Sequence, residues 1–360
     1  MSVTAEIDAG PEDGEQLAHA PGKLFVSGEY GVVEPGQPAV LVAVDRRLTV
    51  KVRPAVETQD LTGRGWSYVA AVRDVMDALA RAHGRPRPPF RVRTLSDLED
   101  ADVDGTGPRK YGLGSSAAVT AAGVVALDAW HGLGLTREEL LRAALLVTLR
   151  VNPRASGADV ATCLVGGWTA YSSPERAWVR ERVGDGASAD PGALADLVAQ
   201  PWPGLEARAL PTPSFEVAIG WTGAPASTVS LVAAVRAAGR LPGWFVAAAA
   251  TCAREVAAAV ERDDLTDASE AVRANRAHLR ALADAVGVPI ETPVLTALAE
   301  VADGLGVAAK PSGAGGGDCG VALVAGAEKR TRLEEAWRAA GVVPLGARLA
   351  VGTVLGERAG

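Results

Sequence analysis

The chain has 360 residues, 48% of them hydrophobic, which is enough apolar material for sizeable cores and suggests about two domains. Its formal net charge of −7, without any basic run, excludes broad nucleic-acid or anionic-membrane binding, so phosphates must be met by local lysines, arginines and backbone N–H groups. The 3 cysteines (Cys163, Cys252 and Cys319) are odd in number and far apart, and the 4 histidines (His19, His83, His131 and His278) form no cluster, which argues against a disulfide framework or a transition-metal site.

Residues 1–17 carry Glu6, Asp8, Glu12, Asp13 and Glu15 and read as a disordered acidic tail, the opposite of a signal or transit peptide. A strand begins at residues 24–26 and breaks at Gly28-Glu-Tyr-Gly31. Two further strands are predicted over 39–44 and 48–53, separated by Asp45-Arg-Arg47. Val69, Val72, Met76 and Leu79 have helical spacing within 68–82, and a strand follows at 90–93. Residues 95–108 are acidic and turn-rich.

The stretch Lys110-Tyr-Gly-Leu-Gly-Ser-Ser-Ala-Ala118 organises the chain. Gly112 and Gly114 precede an alanine- and valine-rich run to Trp130 that reads as a buried helix opened by Ser115 or Ser116. Glycines before a helix start let a ligand approach the backbone, and the helix terminus adds about half a positive charge, so the stretch suits an anion, phosphate above all. A serine hydroxyl there can also hold a magnesium ion that bridges phosphates. The same residues equally describe a glycine turn capped by serine. Asp128 interrupts the best candidate for a membrane span, and the protein is expected to be cytoplasmic, with neither membrane nor nucleic acid as partner.

Thr136-Arg-Glu-Glu139 is a predicted capping box for a helix running to about residue 151. Asn152-Pro-Arg-Ala-Ser-Gly-Ala-Asp159 follows, then a helix from 160 and a strand over 166–171. Proline and glycine cluster at 201–204 and 211–213, which divides the chain into domains of 18–205 and 206–360. The second half has strands at 215–220, 306–309, 321–324 and 347–355, and helices at 229–238, 243–262, 265–286, 292–303 and 327–340. Gly313-Ala-Gly-Gly-Gly317 is too glycine-dense for a regular element; it is either a flexible turn or a loop that closes over phosphates.

Three stretches together resemble the GHMP kinases: Ala20-Pro-Gly-Lys-Leu-Phe-Val-Ser-Gly-Glu-Tyr30, the 110–118 loop, and Lys310-Pro-Ser-Gly-Ala-Gly-Gly-Gly-Asp-Cys-Gly320. Adding Gly166-Gly-Trp-Thr-Ala-Tyr171 and Trp221-Thr-Gly-Ala-Pro-Ala-Ser-Thr228, the set is most similar to the bacterial phosphomevalonate kinase branch. The resemblance implies an α+β fold of two domains, ribosomal S5-like then ferredoxin-like, with the site in the cleft between them. It implies ATP-dependent phosphorylation of 5-phosphomevalonate to 5-diphosphomevalonate in isoprenoid synthesis. The alternatives are a kinase for mevalonate or another small alcohol, and a non-catalytic nucleotide-binding relative.

By the same resemblance, ATP would lie on Lys110, Gly112, Leu113, Gly114, Ser115, Ser116 and Ala117, with Mg2+ on Ser116. Lys23 and Asp159 would be catalytic. The acceptor would meet Lys23, Glu29, Tyr30, Arg154, Ser156, Gly157, Ser312, Gly313, Ala314 and Gly315. Two departures stand out. Mevalonate kinases carry a metal-binding glutamate on the helix before the aspartate, where this chain has only Thr148 and Arg150, and the 54–107 region is short. The second magnesium ligand, the seat of the adenine and the oligomeric state, homodimer included, stay open.

Overall fold

The structure, a computed structural model, describes residues 14–63, 65–100, 109–183, 190–224, 228–237 and 239–356. The expected acidic tail over 1–13, most of the 95–108 turn region and Ser227 lie outside the described residues.

The first lobe is built on β1 (Gln16–Ser27) and β2 (Pro38–Pro54), paired antiparallel. β1 starts where a tail was expected, because Leu17 and Ala18 are buried and Glu15 pairs with Arg53 at 2.5 Å. The two strands expected at 39–44 and 48–53 are one. A register shift at Pro21/Gly22 absorbs the polar step, Asp45 exchanges hydrogen bonds with the Arg348 backbone (2.8 and 2.9 Å), and the Arg47 N–H donates to the Asp97 carboxylate. With these backbone groups satisfied, the strand continues through residues that would otherwise end it.

Next come α1 (Ser67–Ala82), β3 (Phe90–Ser96), and the short pair β4 (Glu99–Asp100) and β5 (Arg109–Lys110). Then follow α2 (Ser115–His131), α3 (Arg137–Val151), α4 (Ala158–Val165), β6 (Trp168–Ser172), α5 (Arg176–Val183), α6 (Pro191–Ala199) and β7 (Glu206–Leu210). The α2 helix is apolar nearly all round and is buried, as such helices must be. Its small residues let α1 come close: a Cβ on Gly123 would stand 3.0 Å from Val72.

The second lobe runs β8 (Glu216–Trp221), α7 (Thr228–Ala237), α8 (Gly243–Glu261), α9 (Leu265–Val286), α10 (Pro293–Gly304), β9 (Ala308–Pro311), β10 (Cys319–Val324), α11 (Gly326–Ala339) and β11 (Val343–Pro344). Its antiparallel sheet has the order β11-β8-β10-β9, the ferredoxin-like arrangement with four helices in the first crossover. The α8 helix is long and apolar enough to cross a membrane by composition, a candidate the sequence reading passed over. Half of its apolar window is buried, with Phe245 and Ala249 packed against Tyr30 and Val33 of the first lobe.

The expected boundary at 205/206 falls too early, since β7 pairs with β6 in the first sheet. Nor does the second lobe keep the last residues. Leu349 bridges Val44, Val351 bridges Gly166, and β12 (Val354–Leu355) pairs with β1, so the strand expected over 347–355 is a crossing back to the first lobe. The larger sheet thus reads β12-β1-β2-β6-β7, with β3 also on β2. One apolar core spans both lobes, with Trp168 edge-on to Phe215 at 5.9 Å between ring centroids.

Candidate active site

Gly112 (φ 75°) and Gly114 (φ 84°) both lie in the left-handed region, and neither has room for a side chain. A Cβ on Gly114 would stand 2.6 Å from Cε of Lys23, and one on Gly112 would stand 2.3 Å from Cγ of Asp318. Ser115 opens α2 as expected, but the N-cap is Gly114 and no side chain caps the helix. The serine-cap alternative is therefore ruled out, and the helix terminus is left to a ligand. Ser116 is exposed, and Tyr68 from α1 lines the same cleft.

Lys23 is fastened to this loop twice. Its backbone N–H donates to the Leu113 carbonyl at 2.9 Å, and its stem occupies the space left by Gly114. Its Nζ stands 3.3 Å from Oδ1 of Asp159, whose side chain keeps 41% of its surface in solvent, and 5.5 Å from the Phe25 ring centroid. Asp159 sits in the first turn of α4, after the left-handed Gly157. A Cβ there would stand 2.2 Å from Leu145 and 2.8 Å from the Tyr171 hydroxyl, which donates to the Ser156 carbonyl at 2.6 Å. Burial pushes the Tyr171 phenol well up, so it remains a donor.

The third glycine stretch is tied to the first lobe at alternate residues. Lys310 pairs with Glu29 and donates to the Pro311 carbonyl at 2.7 Å. The Ser312 hydroxyl accepts the Phe25 N–H at 2.8 Å, and the Tyr30 hydroxyl donates to the Ala314 carbonyl at 2.6 Å. Tyr30 has φ 58°, and its phenol is pushed up by burial and then by Glu29. These bonds hold a strained tyrosine at the seam of the lobes.

One cleft of about 390 Å³ is lined by all the expected residues but one. The exception is Gly315. It is buried, and a Cβ on it would stand 2.1 Å from the Ile290 carbonyl, so it shapes the loop and does not face an acceptor. Glu29 reaches the cleft wall as expected; Oε1 pairs with Lys310, and Oε2 is buried without a hydrogen-bond partner. Thr148 lines the cleft where an acid was sought, with its hydroxyl turned back to the Ala144 carbonyl at 2.8 Å. Sequence reasoning missed Tyr68, Glu99, Asn152 and Asp318 on the wall; Asn152 and Asp318 stand inside quoted stretches, and Tyr68 and Glu99 carried no signal.

The glycine cradle and open helix terminus fit a nucleotide's phosphates. Among the described residues no group of three or more His, Cys, Asp or Glu could cage a metal. A divalent cation that keeps its waters and comes bound to phosphates, as magnesium does, suits that donor set.

The GHMP kinases N-terminal domain family matches residues 68–167, and the GHMP kinases C-terminal family matches residues 256–343. Phosphomevalonate kinase of a Streptomyces species is 40% identical over 373 residues, covering 91% of this chain and 96% of that protein. The chain belongs to the GHMP kinase family. The structure of a Listeria innocua protein is similar to this GHMP kinase at a TM-score of 0.87 and 29% identity, covering 95% of this chain and 99% of that one. Streptococcus pneumoniae phosphomevalonate kinase in complex with phosphomevalonate and AMPPNP shares the fold at a TM-score of 0.81 and 24% identity, covering 93% and 99%.

Proposed function

We propose that this GHMP kinase transfers the γ-phosphoryl group of ATP to the phosphate of 5-phosphomevalonate, giving ADP and 5-diphosphomevalonate for isoprenoid synthesis. The chain-long likeness to a phosphomevalonate kinase supports that acceptor. The observation that carries the mechanism is Lys23, clamped beneath the glycine loop with its ammonium toward Asp159.

ATP takes its phosphates onto Gly112, Leu113, Gly114, Ser115, Ser116 and Ala117, with Lys110 at the mouth. Ser116 would hold the magnesium ion, which when bound neutralises phosphate charge. The acceptor lies between Arg154, Ser156 and Gly157 on one wall and Ser312, Gly313 and Ala314 on the other, with Tyr30 holding the second wall. A phosphomonoester has a second pKa of about 6, so near neutral pH the acceptor is already mostly a dianion. Little proton removal is needed, and the main obstacle is repulsion between two sets of phosphates. Lys23 offsets that charge as the groups come into line, which is most of what phosphoryl transfer asks of a protein. Asp159 orients Lys23. On this reading the partners are soluble metabolites, and the protein works in the cytoplasm.

A second reading has one observation behind it. Oδ1 of Asp159 is buried and, beyond the ion pair with Lys23 at 3.3 Å, makes no hydrogen bond, which would suit a general base that takes a proton from an alcohol. An ADP-release assay on 5-phosphomevalonate, mevalonate and homoserine separates the two. Turnover confined to 5-phosphomevalonate is expected; preference for mevalonate or homoserine would replace the proposal.

A further inference from the structure

Asn152 stands between α3 and α4 on the cleft wall, and all but one of its polar groups are engaged. Its backbone N–H donates to the Thr148 carbonyl at 2.8 Å, its carbonyl accepts the Ala155 N–H at 3.0 Å, and its Oδ1 accepts the Arg154 N–H at 3.1 Å. The last bond fixes which way the amide is turned, because only its oxygen can accept from a backbone N–H. Nδ2 is left over, and among the described residues it has no protein partner. An amide at the end of a helix has the unpaired carbonyls of the last turn within reach. This one bonds none of them among the described residues.

The residues after it repeat the pattern. Their carbonyls are satisfied: Arg176 donates to those of Arg154 and Ala155 at 3.3 and 3.1 Å, and the Tyr171 hydroxyl donates to that of Ser156. Their side-chain donors are not. The Arg154 guanidinium is exposed and has no ion pair among the described residues, and Ser156 Oγ accepts the Ala158 N–H at 3.3 Å, which leaves its own proton to give. A wall whose acceptors are satisfied and whose donors are free suits an anion. We propose that Asn152 is a specificity-determining residue for the acceptor, its amide N–H donating to the phosphate of the bound phosphomonoester beside Arg154. The arginine attracts any anion, whereas the amide requires an oxygen at one place. Because the bond that pins the amide comes from the Arg154 backbone, the two donors are set as a unit. The inference rests on reading 5-phosphomevalonate as the acceptor.

The test uses the full chain, with 5-phosphomevalonate binding read by calorimetry and KM for each substrate read from ADP release. Asn152→Ser keeps an oxygen for the Arg154 N–H and removes the amide donor. Asn152→Asp keeps the size and the same oxygen and puts a charged acceptor in the donor's place, so the turn is kept in both variants. Asn152→Ser is expected to weaken 5-phosphomevalonate binding and raise its KM by roughly 10-fold or more, the loss of one hydrogen bond to a charged group, and Asn152→Asp by more again. KM for ATP should stay with the parent. Parent-like 5-phosphomevalonate binding in Asn152→Ser overturns the proposal even if Asn152→Asp is impaired, since added charge alone would then account for the loss. Equal rises in both KM values also overturn it, making Asn152 only a cap for α3. If the parent itself neither binds nor turns over 5-phosphomevalonate, the acceptor reading falls, and the proposal with it.

Discussion

Two lysine–carboxylate pairs border the same cleft. In the Glu29–Lys310 pair the side chains are 1% and 0% exposed; in Lys23–Asp159 they are 9% and 41%. The first joins β9 to the end of β1 and is satisfied in part by the Pro311 carbonyl. Burial drives the Lys310 pKa down, and Glu29 pushes back. Such a pair repays its desolvation only while both partners stay in place. In the second pair water reaches the carboxylate, so the lysine can exchange it for phosphate at little cost. Burial decides which pair holds the lobes together and which handles the reacting charge.

The largest effect should come from breaking the sealed pair. Lys310→Met leaves Glu29 buried and unpaired, and urea denaturation should show a loss of ~3–5 kcal/mol. A Glu29→Gln, Lys310→Met double variant should recover much of it; an additive loss would mean the two side chains are not coupled. Next is the solvated pair. Lys23→Ala should lower kcat on 5-phosphomevalonate by roughly 10²–10³-fold, as for loss of one charge-stabilising donor. Asp159→Asn should cost less, because it only orients the lysine. The reverse order would favour general-base chemistry on a hydroxyl.

Arg154, whose side chain is exposed on the cleft wall, extends the comparison to a cation still more open to water. Arg154→Ala should raise KM for 5-phosphomevalonate by roughly 10-fold, about 1.5 kcal/mol or more, and leave KM for ATP alone. Equal changes in both would remove Arg154 from the acceptor wall. The smallest effect belongs to a site with no part in the chemistry. The Thr136–Glu139 capping box is formed at the N-terminus of α3, so Thr136→Ala should cost ~1 kcal/mol of stability with unchanged kinetics. Hydrogen bonds from Thr136 hold the Glu139 carboxyl below its usual range. A lowered folded-state pKa stabilises above the unfolded value and is lost as pH falls through the folded one. The gap between Thr136→Ala and its parent should therefore narrow in acid; a gap that widens would contradict the assignment.

The parts of this enzyme legible in its sequence are those whose physics is local. Gly112 and Gly114 before an apolar helix, the capping box, and the glycine-dense third loop each declare themselves within a few residues. What stayed hidden depends on distant partners. Glu29 reads as a ligand contact, and nothing local in the sequence reveals that Lys310, 281 residues away, pairs with one of its oxygens. β2 reads as two strands because the groups that satisfy Asp45 lie 303 residues on. Spacing inside a glycine run does not tell which face each residue presents, so nothing local shows that Gly315 packs against the Ile290 backbone. An aspartate among glycines, as Asp318 is, signals nothing until its backbone angle and its neighbour Gly112 are known.

The return of β12 to β1 has a consequence for how the chain is made. Pairing between His19 and Val354 means that one edge of the first sheet waits for residues translated long after it. The Asp45–Arg348 contact alone spans 303 residues, about 15–60 s at a ribosomal rate of ~5–20 residues per second. Throughout that interval β1, paired with β2 on one side, leaves its other edge open, the kind of edge that recruits other strands. Chaperone demand during synthesis should therefore centre on β1. Slowing translation just before residues 349–355 should lower the yield of soluble protein; an unchanged yield would contradict this.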